Sequence, residues 1–493
     1  MQQGFDNEKY IRLQSERIRE RIAQFGGKLY LEFGGKLFDD HHASRVLPGF
    51  RPDSKLRMLK TLADRAEVVI VVNAQDIESN KLRGDLGIGY DSETLRLIDA
   101  FREAGLYVGS VVITRFEGQA AEAYQRRLER QGIRVFRHYA IEGYPSNLRR
   151  IVSEDGYGRN EYIQTQRELV VVTAPGPGSG KMATCLSQLY HENLHGVRAG
   201  YAKFETFPIW NLPLKHPVNL AYEAATADLN DVNMIDPYHM EAYGELAVNY
   251  NRDVEIFPVL KAIFERIQGA SPYRSPTDMG VNMVGYCITD DEVCCDASRR
   301  EIVRRYFNAG CAKLRGTGED AAIGKIEILM EQAGVSPENR RSAREANRLE
   351  EITGKPAAAI ELPDGSVVTG KTSDLLGASS AMLLNALKVL AGIPDEVKLI
   401  SKHIIEPIQR LKVTSLGNRN PRLHTDEVLI ALSICAVEGE YAARAIAQLP
   451  KLAGLEAHVS VLLSPIDEDT FRRLGVNLTC QPKREIQQRL YYR

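Results

Sequence analysis

Between Leu169 and Gln188 the chain reads L-V-V-V-T-A-P-G-P-G-S-G-K-M-A-T-C-L-S-Q, an apolar run that breaks into a Gly/Pro loop and then takes a helical pattern. Gly176, Gly178 and Gly180 allow backbone conformations that a Cβ disfavours, so successive N–H groups can turn toward one anion at a helix N-terminus. Lys181 adds a positive charge there, and Ser179 and Thr184 add hydroxyls. Strand, glycine loop and helix in that order are the context in which phosphate-binding loops occur. The string departs from the strict pattern twice. Pro175 stands where Gly is required, and Met182 where a Ser or Thr hydroxyl would meet magnesium. Thr184 is a substitute hydroxyl two residues on, roughly 3 Å further along the axis and rotated by about 200°; Ser179 is nearer. The expectation is a phosphate or other anion at this loop, with magnesium left open.

Gly365-Ser-Val-Val-Thr-Gly370-Lys371-Thr372 matches the phosphate-loop string letter for letter, but Pro363-Asp364-Gly365 is a turn signal between two β-rich runs, Ala358 to Leu362 and Ser366 to Thr369. β-branched Val367, Val368 and Thr369 fill the supposed cradle, so a hairpin is expected. His191-Glu192-Asn193-Leu194-His195 has the spacing of a zinc-protease motif. It lies on the helix that starts at Lys181, and Gly196 signals a C-cap, which leaves His195 on the last turn with no compelling third ligand. His191, His195, Asp39, Asp40 and Asp236 are the metal-capable residues singled out, and zinc is not expected. Cys287, Cys294, Cys295 and Cys311 contain no C-x-x-C pair and read as buried thiols.

The chain has 493 residues, 44% of them hydrophobic, so several domains with ample core are expected. Lys plus Arg total 63 against 65 Asp plus Glu, a net charge of −2 that argues against bulk attraction to nucleic acid. No apolar run reaches the roughly 18 residues of a membrane span, the first 21 residues are charged rather than signal-like, and seven cysteines without a regular framework read as reduced. A cytoplasmic protein is expected.

After a helix from about Glu8 to Phe25, apolar runs recur at Leu29 to Phe33, Val68 to Asn73, Val108 to Thr114, Ile133 to Tyr139 and Leu169 to Thr173, with helical stretches between most of them. This alternation predicts an α/β fold with a doubly wound, mostly parallel sheet, which binds ligands at the carboxyl ends of its strands. Lys36, Asp39, Asp40, His41 and His42 follow the first run; Asn73, Asp76, Asn80, Lys81, Arg83 and Asp85 follow the second; Thr114 and Arg115 close the third. Helical patterns dominate from about Pro217 to Glu350, and a smaller α+β region follows with a helix from Ser379, where Ser379 or Ser380 is the expected N-cap. The domains read as 1–217, 218–350 and 351–493.

The strings G-F-D-N-E-K-Y, F-G-G-K-L-F-D-D-H-H-A-S-R-V-L-P-G-F, T-A-P-G-P-G-S-G-K-M-A-T-C and G-K-T-S-D-L-L-G-A-S-S-A resemble, over essentially the full length, a bacterial family of uncharacterised proteins with domains of unknown function. Some of its members carry an ATP-dependent peptidase label. Ala199 to Thr206 is similar to the second strand of dethiobiotin-synthetase-type P-loop enzymes. That likeness implies Lys203 and Glu205 facing a nucleotide crevice and Asp236 as a metal-binding carboxylate.

The resulting expectation is an enzyme that binds ATP, another nucleotide or a phosphorylated metabolite and catalyses phosphoryl transfer or ATP-driven ligation. Lys181 and the loop hold phosphates, assisted by Lys81 and Arg83. Lys36 or Lys203 neutralises developing charge, and Asp39, Asp40 or Asp76 holds metal or acts as base. The alternatives are a non-catalytic anion-binding or assembly protein and, behind it, a zinc peptidase. The expected partner is a small phosphorylated ligand, with no nucleic acid and no membrane; a homo-oligomer stays open.

Overall fold

The computed structural model describes residues 3–83 and 87–485; Asp85 lies outside them. Two compact units emerge. One runs up to Glu223 and resumes over Asp231–Ser298; the other takes Ala224–Asn230 and the chain from Arg299 onward.

The first unit is built on seven strands: β1 (Leu29–Phe33), β2 (Ala66–Asn73), β3 (Tyr107–Thr114), β4 (Val135–Arg137), β5 (Leu169–Thr173), β6 (Gly200–Phe204) and β7 (Gly280–Val281). Their order across the sheet is β7-β6-β1-β5-β2-β3-β4, and every pairing is parallel. All residues of β1, β2 and β5 are buried, as strands of a parallel sheet covered on both faces must be. β5 lies between β1 and β2. The chain leaves β2 toward β3 on one side and leaves β5 toward β6 on the other, so the β5/β2 boundary is a topological switch point, where such sheets open a crevice. A helix precedes the sheet over Asn7–Gln24, capped by the Asp6 side chain on Lys9 N.

The region expected to be helical from Pro217 also contains an antiparallel pair, Asn233–Ile235 with Val248–Tyr250. It also holds the short helix Pro237–Tyr243 and the longer helices Asn251–Gln268, Asp291–Arg315 and Asp320–Ala333.

In the second unit β8 (Ala357–Glu361) pairs antiparallel with β9 (Val367–Lys371) and β10 (Glu456–Val459), and β10 pairs parallel with β11 (Asn477–Cys480). The expected hairpin forms between β8 and β9: Asp364 Oδ1 accepts from Ser366 N at 2.9 Å, and Gly365 takes φ +82°. Met382, Leu383 and Leu387 of helix Ala378–Leu390 pack into the core with Ala358, Ile360 and Val459. Gly377, rather than Ser379 or Ser380, is that helix's N-cap. Both serines are buried in the first turn, and Ser380 Oγ donates to Leu423 O at 3.2 Å. Among the described residues no helix is long and apolar enough to cross a membrane, and the cysteines are free thiols.

Candidate functional site

Thr173, the last residue of β5, leads into the Ala174–Gly180 loop and then helix Lys181–Leu194. Gly178 and Gly180 take φ +75° and +93°, the left-handed region that favours glycine. Gly180 is the N-cap and supplies no side chain to the first-turn amides. Gly176 is glycine for space, because a Cβ there would overlap the Tyr90 hydroxyl. Ser179 is buried, and its hydroxyl donates to Gly176 O at 2.8 Å, closing the loop on itself. Thr114, the end of β3, donates to Ser179 O at 2.7 Å. Lys181 is half-buried and has no hydrogen bond or ion pair among the described residues. The Thr184 hydroxyl, fully buried one turn on, has no hydrogen-bond partner among them either.

The end of β2 meets the same loop. Asn73 caps helix Ala74–Glu78 by accepting from Gln75 N at 3.0 Å. Asp76 in its first turn places Oδ1 3.2 Å from Lys81 Nζ and leaves Oδ2 buried without a hydrogen-bond partner. Lys81 Nζ lies 5.0 Å from the centre of the Tyr90 ring, the ring that borders Gly176. Asp76 and Lys81 thus reach the loop through Tyr90, whereas Arg83 is ion-paired with the buried Glu93, which Arg96 also holds.

Residues after β1 and β6 form a second group. Lys36 is exposed and Asp39 half-buried. Asp40 caps helix His41–Val46 through Ala43 N at 3.0 Å and pairs with Lys55 Nζ at 2.7 Å. Burial, the largest single influence, would raise its carboxyl, but the Lys55 charge and the hydrogen bonds from Lys55 and Ala43 N together outweigh it and hold the group below the usual carboxylate range. Lys203 sits in β6 opposite Glu32 of β1 and Gly280 of β7. Its ammonium is enclosed by Tyr250, Asp253 and Glu205, the last at 3.2 Å. Glu205 is pushed up to about 8, chiefly by burial; Asp253 adds to this, and Lys203 opposes it. Tyr201 donates to Glu32 at 2.7 Å on the same side. Lys55, Tyr250 and Asp253 escaped the sequence reading, because no motif marks them.

The metal-capable residues have other work. Asp236 caps helix Pro237–Tyr243 through Tyr238 N and His239 N, both at 3.0 Å, and accepts from Thr277 N at 3.1 Å and Thr277 Oγ1 at 2.6 Å. That fills its carboxylate. His191 Nε2 faces Tyr157 O at 3.1 Å, and His195 Nδ1 faces His191 O at 2.7 Å. Glu192 is fully buried, accepting from Tyr30 at 2.6 Å and Tyr162 at 3.2 Å and pairing with Lys28. His191 to His195 therefore pin a helix end. Among the described residues, three metal-capable side chains converge only at His216, Asp291 and Cys295. There His216 Nδ1 accepts from Val218 N at 3.3 Å, which puts the proton on Nε2, the atom that faces Asp291 at 3.1 Å. A metal on Nε2 would need the opposite tautomer, so the trio fits a hydrogen-bonded cluster at the start of helix Asp291–Arg315 better than a metal site.

The fold and this edge define an α/β protein with a candidate anion loop at the carboxyl side of a parallel sheet. The chain belongs to the DUF1846 family: residues 3–334 match the family described as "Domain of unknown function DUF1846, N-terminal", and residues 338–491 match its C-terminal counterpart. It is 59% identical over 495 residues to a UPF0371 protein of Corynebacterium efficiens, with all of both chains covered. It is 58% identical over 482 residues to one of Corynebacterium urealyticum, and 57% identical over 481 residues to one of Streptococcus pneumoniae, with 97% of each chain covered in both cases.

Proposed function

We propose that the 174–180 loop and Lys181 hold a phosphoryl group of a nucleotide or phosphorylated metabolite, and that the protein catalyses phosphoryl transfer or ATP-driven ligation on it. The observation that carries this reading is Lys181, a half-buried ammonium without an ion pair among the described residues, at a helix N-terminus whose Gly180 cap supplies no side chain, beside a switch point. Asp76, with one buried carboxylate oxygen unbonded, is the acidic group best placed to hold a divalent cation or take a proton. Lys81 supports phosphate binding from the same side. Asp40 and Lys203 keep their ion pairs and act through the shape of the crevice wall, and on the β1 loop Lys36 is exposed and Asp39 half-buried.

A non-catalytic anion-binding protein is the second reading, favoured by Met182, which denies magnesium its usual hydroxyl. Thermal unfolding of the wild type and Lys181→Ala against ATP, inorganic phosphate and Mg²⁺ tests both. A ligand at about 100 times its Kd adds roughly 2.7 kcal/mol, so stabilisation by ATP that disappears in Lys181→Ala is expected. Equal stabilisation of both proteins, or of neither, removes the loop from the reading. ATP turnover in the stabilised protein then separates catalyst from binder.

A further inference from the structure

We propose that a cavity at the β7 edge of the first unit is a second ligand site, for a small planar nitrogen heterocycle that is uncharged or singly cationic. The cavity measures about 400 Å³, within the range of small-molecule sites, and lies between the Asn7–Gln24 helix and the β7 edge. β7 is three strands from β5, so roughly 14 Å of sheet separates it from the glycine loop.

Two ring systems give the cavity flat walls. Trp210 is fixed by its Nε1–H, which donates to Asn282 O at 3.1 Å, and Tyr286 stands 6.2 Å away at 61° to it. Such a corner takes a planar ring stacked on one wall and edge-on to the other. His239 lies 6.1 Å from Trp210; its Nδ1 is bonded to Ser275 Oγ at 2.9 Å, which leaves Nε2 for a ring nitrogen or amide.

Charge sets the rest of the selectivity. Glu16, Glu20 and Asp278 line the cavity against Arg17 and Arg21, three carboxylates to two guanidiniums. Both guanidiniums are committed: Arg17 pairs with Glu20 at 2.8 Å, and Arg21 bonds Asp278 O and, at 3.0 Å, Gln24. Outside the lining Arg12 stands 3.7 Å from Glu16, but both side chains are exposed and water screens the pair; the anionic excess of the lining itself disfavours phosphates and carboxylates, accepts neutral rings and favours a cationic one. This site is thus chemically opposite to the glycine loop.

Trp210 is the only tryptophan in the chain, so its indole N–H resonance reports on this cavity. The full-length protein is titrated with nicotinamide, N-methylnicotinamide and nicotinate, which share a ring and differ in charge. Saturable shifts are expected with the first two, with nicotinate at least ~10-fold weaker. Tyr286→Ala, at an exposed position, should weaken binding ~10-fold. Glu16→Lys should reverse the preference between N-methylnicotinamide and nicotinate, and Lys181→Ala should change nothing. No saturable shift below about 10 mM, nicotinate binding as well as its neutral analogue, or unaltered affinity in Tyr286→Ala overturns the proposal.

Discussion

The Thr114 hydroxyl, at the end of β3, donates to the carbonyl of Ser179 at 2.7 Å and so ties the glycine loop to a neighbouring strand. Its methyl group would also lie 3.1 Å from a Cβ at Gly180. Thr114→Val keeps the shape and removes the donor, leaving a buried carbonyl short of a partner at a cost of about 1–3 kcal/mol. The variant should unfold at lower denaturant and lose much of any ATP-dependent stabilisation. A binding response as strong as the wild type's would mean that the loop is ordered by other contacts.

Gly176 and Tyr90 form a lock of another kind. Gly176 has no positive φ, so the need for glycine is steric and resides in the Tyr90 ring, which Lys81 faces at 5.0 Å. Gly176→Ala should destabilise by about 1–3 kcal/mol through overpacking. In the double variant with Tyr90→Ala, the alanine methyl no longer meets a ring. The added cost of Gly176→Ala should then shrink to well under half, a coupling that a double-mutant cycle by chemical denaturation measures directly. Additive effects would locate the strain elsewhere in the loop.

The His191–His195 string tests motif against context. Glu192 carries two tyrosine hydroxyls and the Lys28 ammonium in a fully buried position. Glu192→Gln strips Lys28 of its counter-charge and should cost on the order of 3 kcal/mol. Chelator should leave the melting temperature of the wild type unchanged, and His195→Ala should lower it only slightly, since that ring stacks 4.7 Å from Tyr162 at the helix end. A chelator-sensitive melt abolished by His195→Ala would restore the zinc reading.

The parts of this fold that were legible in the sequence are those whose signal is local. β1, β2, β3 and β5 are largely apolar runs because both faces of a parallel sheet are covered, and each forms within two residues of its expected bounds. The exact phosphate-loop string at 365–372 gave way to a hairpin because turn chemistry and β-branching outweigh a match of letters. What stayed hidden is non-local. β7 is two residues long and exists only because β6 offers an edge. Lys203 and Asp253 pair across 50 residues of chain, and Asp40, the N-cap of one helix, pairs with Lys55 in the first turn of helix Ser54–Lys60, with no shared motif to link them. Asp236 shows the same limit from the other side: its residue type suits a metal, and only the folded neighbours reveal four hydrogen bonds already made.

The Lys203 cluster makes a pH-dependent prediction. Glu205 holds its proton up to about 8, against an ordinary value of 4.5, chiefly because burial penalises the charged form. Between these values the folded state carries a proton that the unfolded chain has released. The Glu205 contribution is therefore fully present below about 4.5, falls by up to about 1.4 kcal/mol per pH unit as pH rises, and is level above about 8. Glu205→Gln cannot ionise and keeps the size of the side chain, so it should match the wild type at acid pH and exceed it in stability progressively toward pH 8. Asp253→Asn removes a carboxylate that Lys203 needs and should destabilise at every pH in that range, by about 3 kcal/mol. Urea denaturation midpoints of the three proteins across the range separate the roles. Parallel profiles for wild type and Glu205→Gln would show that Glu205 is ionised in the fold and that its carboxylate, with that of Asp253, neutralises Lys203.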